Sequence, residues 1–539
     1  MLLIKYSDAP PGSGKTHNAV PKASRMAAEG KIVLFVQPTT DLIDMTIADE
    51  VGRLRPKPMH TPIHGKWSDS KKGVGKRLAE HLKDFGSEGQ IIFVTHQVLE
   101  HVRYWPTNKR DVHLIIDEEF EVVRYKEHSL PKMHHIITDE LTLEHHNAVY
   151  GRVVPRDRQK LEQMAKNGGE DEVLGTLNEA LRVLCNPHWD TFVNLEQYSK
   201  LLKSDGVTKL ELHSVLNPSF FEGFGSVFMA SANFLDTVIY KLWSDKGVKF
   251  VEDTEFSAAL RFNVHHNGHL MKIRYVTDEE WSKNLGKKVV DGVSVRDRLM
   301  TAAHVEFGDK AFLWQANKNF EANPFGEMAC RLPHKPHGRN DYLHVSNILI
   351  ASAILPKPSH CNFLKSVGFS KQDIYRSIYC AAAYQAVMRS SARSPDSTEP
   401  VTVIVPDKGL ADYLAGLFPG ATVTWLDAGL PQERLKKRGG RVKKYHSDAE
   451  RGQAQRLVAK KRLLDEYNAM FGSSQYDLEG GYKNDKGDCH VDWSIESYKA
   501  NCTGVFHGSL FGNNQQGLSD GYLKSADVAS FVKALAHYH

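Results

Sequence analysis

One octapeptide near the start, Ala9-Pro10-Pro11-Gly12-Ser13-Gly14-Lys15-Thr16, constrains this chain more than any other feature. Gly12 and Gly14 allow a tight backbone fold, so that successive N–H groups can point at phosphate oxygens. A helix is expected from about Lys15 to Ala28, and its positive N-terminal end adds to the same pull. Lys15 supplies a point charge for the β- and γ-phosphates, and the Thr16 hydroxyl is a ligand for Mg²⁺. The apolar run before the loop, Leu2–Tyr6, reads as a buried strand. Strand, glycine loop and helix in that order are the context a phosphate loop requires, with Pro11, Gly12, Ser13, Gly14, Lys15 and Thr16 lining the nucleotide.

The second requirement is a carboxylate at the tip of a neighbouring strand. Val112–Ile116 is an apolar run, and Asp117, Glu118 and Glu119 follow it directly. Asp117 is expected to face the metal with Thr16, and Glu118 to orient or deprotonate the attacking water. Further strand-like runs at Lys31–Val36 and Ile91–Val94 alternate with helical stretches, which implies a mostly parallel sheet covered on both faces.

With 539 residues, the chain has room for about three to five domains of the usual size. We expect a first α/β domain over 1–125 and a mostly helical insertion over 126–220. The helical spacing there is clearest at Pro155–Asn167 and at Glu170–Cys185, with Val173, Leu174, Leu177 and Leu181 on one face. The chain then returns to the first domain over 221–255, where Ser226–Ala230 is strand-like. Ala311–Trp314, Ser346–Ala351 and Val401–Val405 are expected to build a second α/β domain over 256–425. A C-terminal accessory region over 426–539 carries seven basic residues between Arg434 and Lys444 and an expected helix over 448–470, with Ser447 and Glu450 forming a capping box.

Composition excludes several classes. Hydrophobic residues at 41% and charged residues at 25% describe an ordinary soluble protein, and a net charge of +4 does not by itself mark a nucleic-acid binder. No apolar run approaches the ~20 residues of a membrane span, and the first residues are too short for a signal peptide, so no membrane partner and a cytoplasmic location are expected. Six cysteines without regular spacing imply no disulfide framework. Cys489, His490, Cys502 and His507 match no zinc-finger spacing, so zinc is not expected. The 27 histidines include the pairs His134-His135, His145-His146 and His265-His266, which read as surface or loop positions.

The phosphate loop, the Asp-Glu pair and the two α/β halves resemble the superfamily 2 helicases and translocases. Val36–Leu42 is similar to motif Ia, which makes Thr39 and Thr40 candidate contacts to a nucleic-acid backbone, and Phe93–His96 adds Thr95 and His96. Phe228–Asn233 is similar to motif III, with Ser231 and Asn233 in the coupling role. Phe312–Asn317 is similar to motif IV. Gly338–Asp341 followed by Ile348–Pro358 is similar to motif V, with Gly338 and Asp341 near the nucleotide. Tyr384–Arg393 is similar to motif VI. On one continuous helix Gln385, Arg389 and Arg393 would share a face and point together into the cleft, the arginines stabilising charge on the γ-phosphate.

There are departures. Glu119-Phe120 replaces Ala-Asp or Ala-His, Asn233 replaces a threonine, Met388 replaces a glycine, and only eight residues precede the loop, so no upstream adenine-reading glutamine fits. The insertion between motifs II and III and the run ending Leu355-Pro356-Lys357-Pro358 are similar to the DinG/XPD-like branch. No cysteine lies between motifs I and II, which excludes an iron–sulfur cluster there.

The resemblance implies ATP and Mg²⁺ as cofactors and nucleic acid as partner, DNA in preference to RNA. A protein partner at the insertion or C-terminal region is a further expectation. The reading is an ATP-dependent helicase or translocase; the alternative is an ATP-gated remodelling or loading factor without processive unwinding. A small-molecule kinase is disfavoured by chain length and by the motif VI segment.

Overall fold

Asp8, Gln37, Thr95, Asp117 and Ser231 each end a strand of one parallel sheet, and that shared edge organises the first half of the molecule. The computed structural model describes residues 2–435 apart from 66–72, 84–87, 103–104, 106–107, 131–133, 168–171, 322 and 334–341. Gly338, Asp341, the basic stretch beyond 435, the expected 448–470 helix and Cys489, His490, Cys502 and His507 lie outside the described residues.

The first sheet contains β1 (Leu3–Asp8), β2 (Ile32–Gln37), β3 (His60–Ile63), β4 (Gln90–Thr95) and β5 (Val112–Asp117). The chain leaves it for a five-stranded insertion, β6 (Val123–Ser129), β7 (Leu141–His145), β8 (Tyr150–Pro155), β9 (Trp189–Asn194) and β10 (Lys209–Leu216). It returns with β11 (Ser226–Ser231) and β12 (Lys249–Glu252), giving the order β12-β1-β11-β5-β2-β4-β3 with every pairing parallel. All six residues of β2 and all six of β4 are buried, because helices cover both faces of a parallel sheet. The register sets Asp8 beside Ser231, Ala230 beside Asp117, and Gln37 beside Thr95, so the polar strand ends fall together.

The insertion carries helices at Arg158–Asn167 and Glu172–Cys185, as the spacing predicts, and a further helix at Leu195–Leu202. It differs from a mostly helical domain in having an antiparallel sheet, order β6-β10-β9-β8-β7, as its organising layer. Leu177 and Leu181 pack with Ile137, Leu161 and Leu210 between the helices and that sheet. The strands escape a periodicity reading because they lack a clean apolar alternation: in β7 the exposed residues are Thr142, Leu143, Glu144 and His145.

A second parallel sheet contains β13 (Met271–Thr277), then, after the hairpin β14 (Val289–Val290) and β15 (Val293–Ser294), β16 (Phe312–Gln315), β17 (Ala329–Arg331), β18 (Asn347–Ile350), β19 (Val401–Asp407) and β20 (Thr422–Trp425). Its order is β17-β16-β18-β19-β13-β20. The molecule thus has two RecA-like parallel sheets. Among the described residues, no helix is long and apolar enough to cross a membrane.

Between β18 and the motif VI segment the chain crosses over. The helix Pro358–Ser366 and the following turn send Phe363, Leu364, Phe369 and Ile374 into the core that holds Leu242 and Trp243 of the first half and Tyr150 and Phe192 of the insertion. Asp373 seals the arm with an ion pair to Lys241 at 2.8 Å. Burying a phenylalanine such as Phe363 contributes about 2–3 kcal/mol.

Candidate nucleotide-binding site

The phosphate loop turns on two residues with left-handed backbone, Gly12 (φ 84°) and Gly14 (φ 90°), where a side chain would be strained. Gly14 is the N-cap of the helix Lys15–Ala28. Lys15 is buried, and its Nζ donates to the carbonyls of Ala9 and Pro10, both at 2.8 Å. Burial pulls its pKa below the ordinary lysine value, against the pull of Glu118 and Asp117. Pro11 and Ser13 are buried in the loop, and the Ser13 hydroxyl makes no hydrogen bond.

Asp117, at the tip of β5, accepts from Thr16 Oγ1 at 2.8 Å and from Gln37 Nε2 at 2.9 Å, both through Oδ2. Its other oxygen, Oδ1, is buried with no hydrogen-bond partner. Burial and the neighbouring Glu118 hold the Asp117 carboxyl above the usual range. A buried carboxylate with a spare oxygen, bridged to a threonine hydroxyl beside a phosphate loop, fits the hard oxygen-ligand chemistry of Mg²⁺. Thr16 and Asp117 would hold the ion, which would neutralise phosphate charge.

Glu118 has a left-handed backbone (φ 78°), rare for a residue with a side chain. Its N–H donates to Ala230 O at 2.9 Å, so the β11 ladder extends one residue past Asp117. The turn brings its carboxylate within electrostatic reach of Lys15, Arg389 and Arg393.

The arginines come from the second half. A helical run formed by Lys371–Ile374, a wider turn over Tyr375–Cys380 and Ala381–Val387 ends before them. The single helix expected over Tyr384–Arg393 is therefore not present, and Gln385, Arg389 and Arg393 do not share one helical face. Ser390 causes the break: its backbone is extended, its hydroxyl donates to Val387 O at 2.7 Å, and Ser391 N–H leaves the helix ladder for Val345 O at 2.9 Å. Arg389 is 4% exposed, and Arg393 sits over the phosphate loop, its Cγ 2.9 Å from where a Cβ on Gly12 would lie. Burial lowers both guanidinium pKa values, that of Arg389 to about 10. Gln385 is partly buried on the preceding helix.

Asp8, Ser231 and Asn233 form the next layer. Asp8 accepts from Phe234 N at 2.8 Å, and Asn233 takes a left-handed backbone (φ 50°). Ser231 is buried, with its hydroxyl turned to Ala232 O. Thr39 and Thr95 cap the helices Thr40–Thr46 and His96–Glu100, accepting from Leu42 N and Val98 N, both at 3.2 Å. Thr40 begins the first of these helices, and His96 packs against Phe120. Thr95 ends β4, His96 follows it, and Thr39 and Thr40 follow the end of β2, so these four stand on the same sheet edge as Asp117 rather than at the phosphate loop.

Three contributors escaped the sequence reading. Gln37 bridges Asp117 and Thr46, and its signal was visible: a lone amide ending an otherwise apolar strand. Arg261 donates its N–H to Ser13 O at 3.0 Å and lies along Gly14, with no local signal. His265 is buried, hydrogen-bonded to Tyr384 at 2.6 Å and stacked on Phe418. It and His134 are buried, which corrects the surface reading for one member of each pair, while His135 and His266 are exposed as expected.

Fold and site together define a phosphate-loop protein with two RecA-like sheets meeting at a cleft lined by acids and arginines. No family model matches the chain, and no curated protein does. Among solved structures it is similar to an apo XPD, at 14% identity and TM-score 0.45 over 79% of this chain and 97% of that one. It is also similar to an XPD helicase, at 14% and 0.43 over 79% and 96%. A third is S. cerevisiae Dbp5 bound to RNA and ADP BeF3, at 10% and 0.34 over 79% and 86%.

Proposed function

We propose that this chain is an ATP-hydrolysing motor that moves along or unwinds nucleic acid, DNA in preference to RNA. The observation that carries the reading is the approach of Arg393, from the second sheet's side of the molecule, to Gly12 of the phosphate loop. Bound triphosphate would then lie between Lys15 and the two arginines, and its hydrolysis would alter how the halves meet. In this reading Lys15 and the loop residues from Pro11 hold phosphate, with Gly338 and Asp341 assigned to the same nucleotide by resemblance. Glu118 orients the attacking water, while Gln385, Arg389 and Arg393 serve charge on the γ-phosphate. Thr39, Thr40, Thr95 and His96 face the strand, and Ser231 and Asn233 couple the two sites. The division 1–125, 126–220, 221–255, 256–425 and 426–539 belongs to the same proposal.

A remodelling factor that does not unwind is the second reading. The arm bearing Phe363 favours it, because an arm packed in the first core limits how far the cleft opens.

The test is ATP turnover with and without single-stranded DNA and RNA, followed by strand displacement on duplexes with a 5′ or 3′ overhang. Stimulation with displacement supports the motor, and stimulation without displacement supports the remodeller. Absence of stimulation by any nucleic acid removes the motor reading.

A further inference from the structure

We infer that Tyr413 is a positioning residue, and that its hydroxyl transmits the state of the nucleotide between the two sheets. The inference rests on reading the cleft as an ATPase. Tyr413 lies on the helix Lys408–Leu417, which follows β19 in the second sheet. Its Oη accepts from Asn233 Nδ2 at 2.7 Å and donates to Asp236 Oδ2 at 3.2 Å, both on the turn that follows β11 in the first sheet. One hydroxyl thus uses its donor and an acceptor on the opposite half.

Each end of this contact leads toward the phosphates. In the first half, the same turn gives Phe234 N–H to Asp8, the residue before the loop. Ala9 and Pro10, next in the chain, hold Lys15 by their carbonyls. The strand leading to the turn accepts the Glu118 N–H at Ala230. In the second half, the helix of Tyr413 is capped by Asp407, which accepts from Leu410 N at 2.9 Å. Asp407 also accepts from Tyr375 Oη at 2.5 Å and Tyr379 Oη at 3.1 Å. Those tyrosines belong to the helical run that ends just before Arg389. Ala232, on the same turn, packs against the second core, so the hydroxyl sits in a seam that excludes much of the water. The contact is polar and directional: a shift of about an ångström between the halves breaks it, whereas apolar packing would slide.

The test is a double-mutant cycle on the full chain: wild type, Asn233→Gly, Tyr413→Phe and the pair. Glycine suits the left-handed backbone of position 233, and phenylalanine keeps the ring; Asn233→Gly loses the hydrogen bond to Tyr413, and Tyr413→Phe loses that bond together with the one to Asp236. For ATP with Mg²⁺, each single variant is expected to lower kcat about fivefold to tenfold, with KM within about twofold. The pair should fall no further than Tyr413→Phe alone, the signature of a shared interaction. Unchanged kcat in Tyr413→Phe, or additive losses, overturns the inference. A rise in KM at constant kcat also overturns it, since it would mark a binding role. If the wild type hydrolyses no ATP, the ATPase reading itself fails. The relay is then judged on melting temperatures of the same four proteins with and without ATP. Non-additive losses that grow with ATP retain it, and additive ones overturn it.

Discussion

The phosphate corner and the seam between the insertion and the Pro358–Ser366 helix both bury polar groups, and they treat them oppositely. At the corner, partners run short: Ser13 Oγ, Gln37 Oε1 and Asp117 Oδ1 are buried without hydrogen bonds. At the seam, the groups answer one another. His213 Nδ1 meets His360 Nδ1 at 3.3 Å, Ser359 Oγ donates to Tyr125 Oη at 3.3 Å, and Glu127 takes Lys357 and Lys209, each at 2.5 Å. The rings of His213 and Phe363 stack at 4.6 Å. An orphaned buried polar atom costs about 1–3 kcal/mol, so a fold that retains several in one place keeps them for a ligand. A fold that pairs them uses them as walls.

This contrast breaks or sharpens under four changes. Lys15→Ala should abolish ATP turnover, a loss of about a thousandfold or more in kcat, without lowering the melting temperature of the unliganded protein. Comparable turnover in the variant would mean that the corner is not built for a triphosphate. Next, Arg389→Ala should cut kcat by about a thousandfold while nucleotide affinity, read by equilibrium titration, falls far less. Intact turnover would remove the second half from the chemistry.

The third change falls on the other region. Phe363→Ala should cost about 3 kcal/mol of stability in denaturant unfolding, because the ring is fully buried among Tyr150, Phe192 and His213. A negligible cost would show that the arm does not hold the insertion. The smallest effect is on pH. Burial holds His213 down to about 3 and His360 to about 4, below the ordinary value of 6.5. Both are therefore neutral when folded and protonated when unfolded in mild acid. Their contribution is complete above pH 6.5 and is lost as pH falls toward 4, at about 1.4 kcal/mol per pH unit for each histidine. Melting temperatures between pH 7.5 and 5 should fall less steeply in His213→Gln. An unchanged slope would show that other groups carry the acid sensitivity.

The same contrast explains what was legible in the sequence. The phosphate loop and the strand ending in Asp117 are short, contiguous motifs whose neighbours along the chain dictate their geometry, and both lie where the pattern expects. So do the strands with unbroken apolar runs, such as β2, β4 and β19. β13 was missed although it lies inside the second sheet, because Lys272 and Arg274 interrupt its apolar run. The motif VI helix stops at Val387, short of the expected Arg393, since nothing in Tyr384–Arg393 announces that Ser390 prefers Val387 O and that Val345 captures Ser391. Tyr413 and Arg261 gave no sign, because their partners lie 180 and 248 residues away in the chain, at Asn233 and Ser13.

The crossing arm also governs how the polypeptide must be made. Residues 358–374 are encoded within the second half but complete the interior of the first. A fragment stopping after β12 would carry an open apolar trench where Phe363, Leu364 and Phe369 belong, and would invite aggregation. On the ribosome, the amino-terminal half cannot close its core until the chain has been synthesised past Ile374. Its maturation is therefore bound to the emergence of its neighbour rather than finished before it.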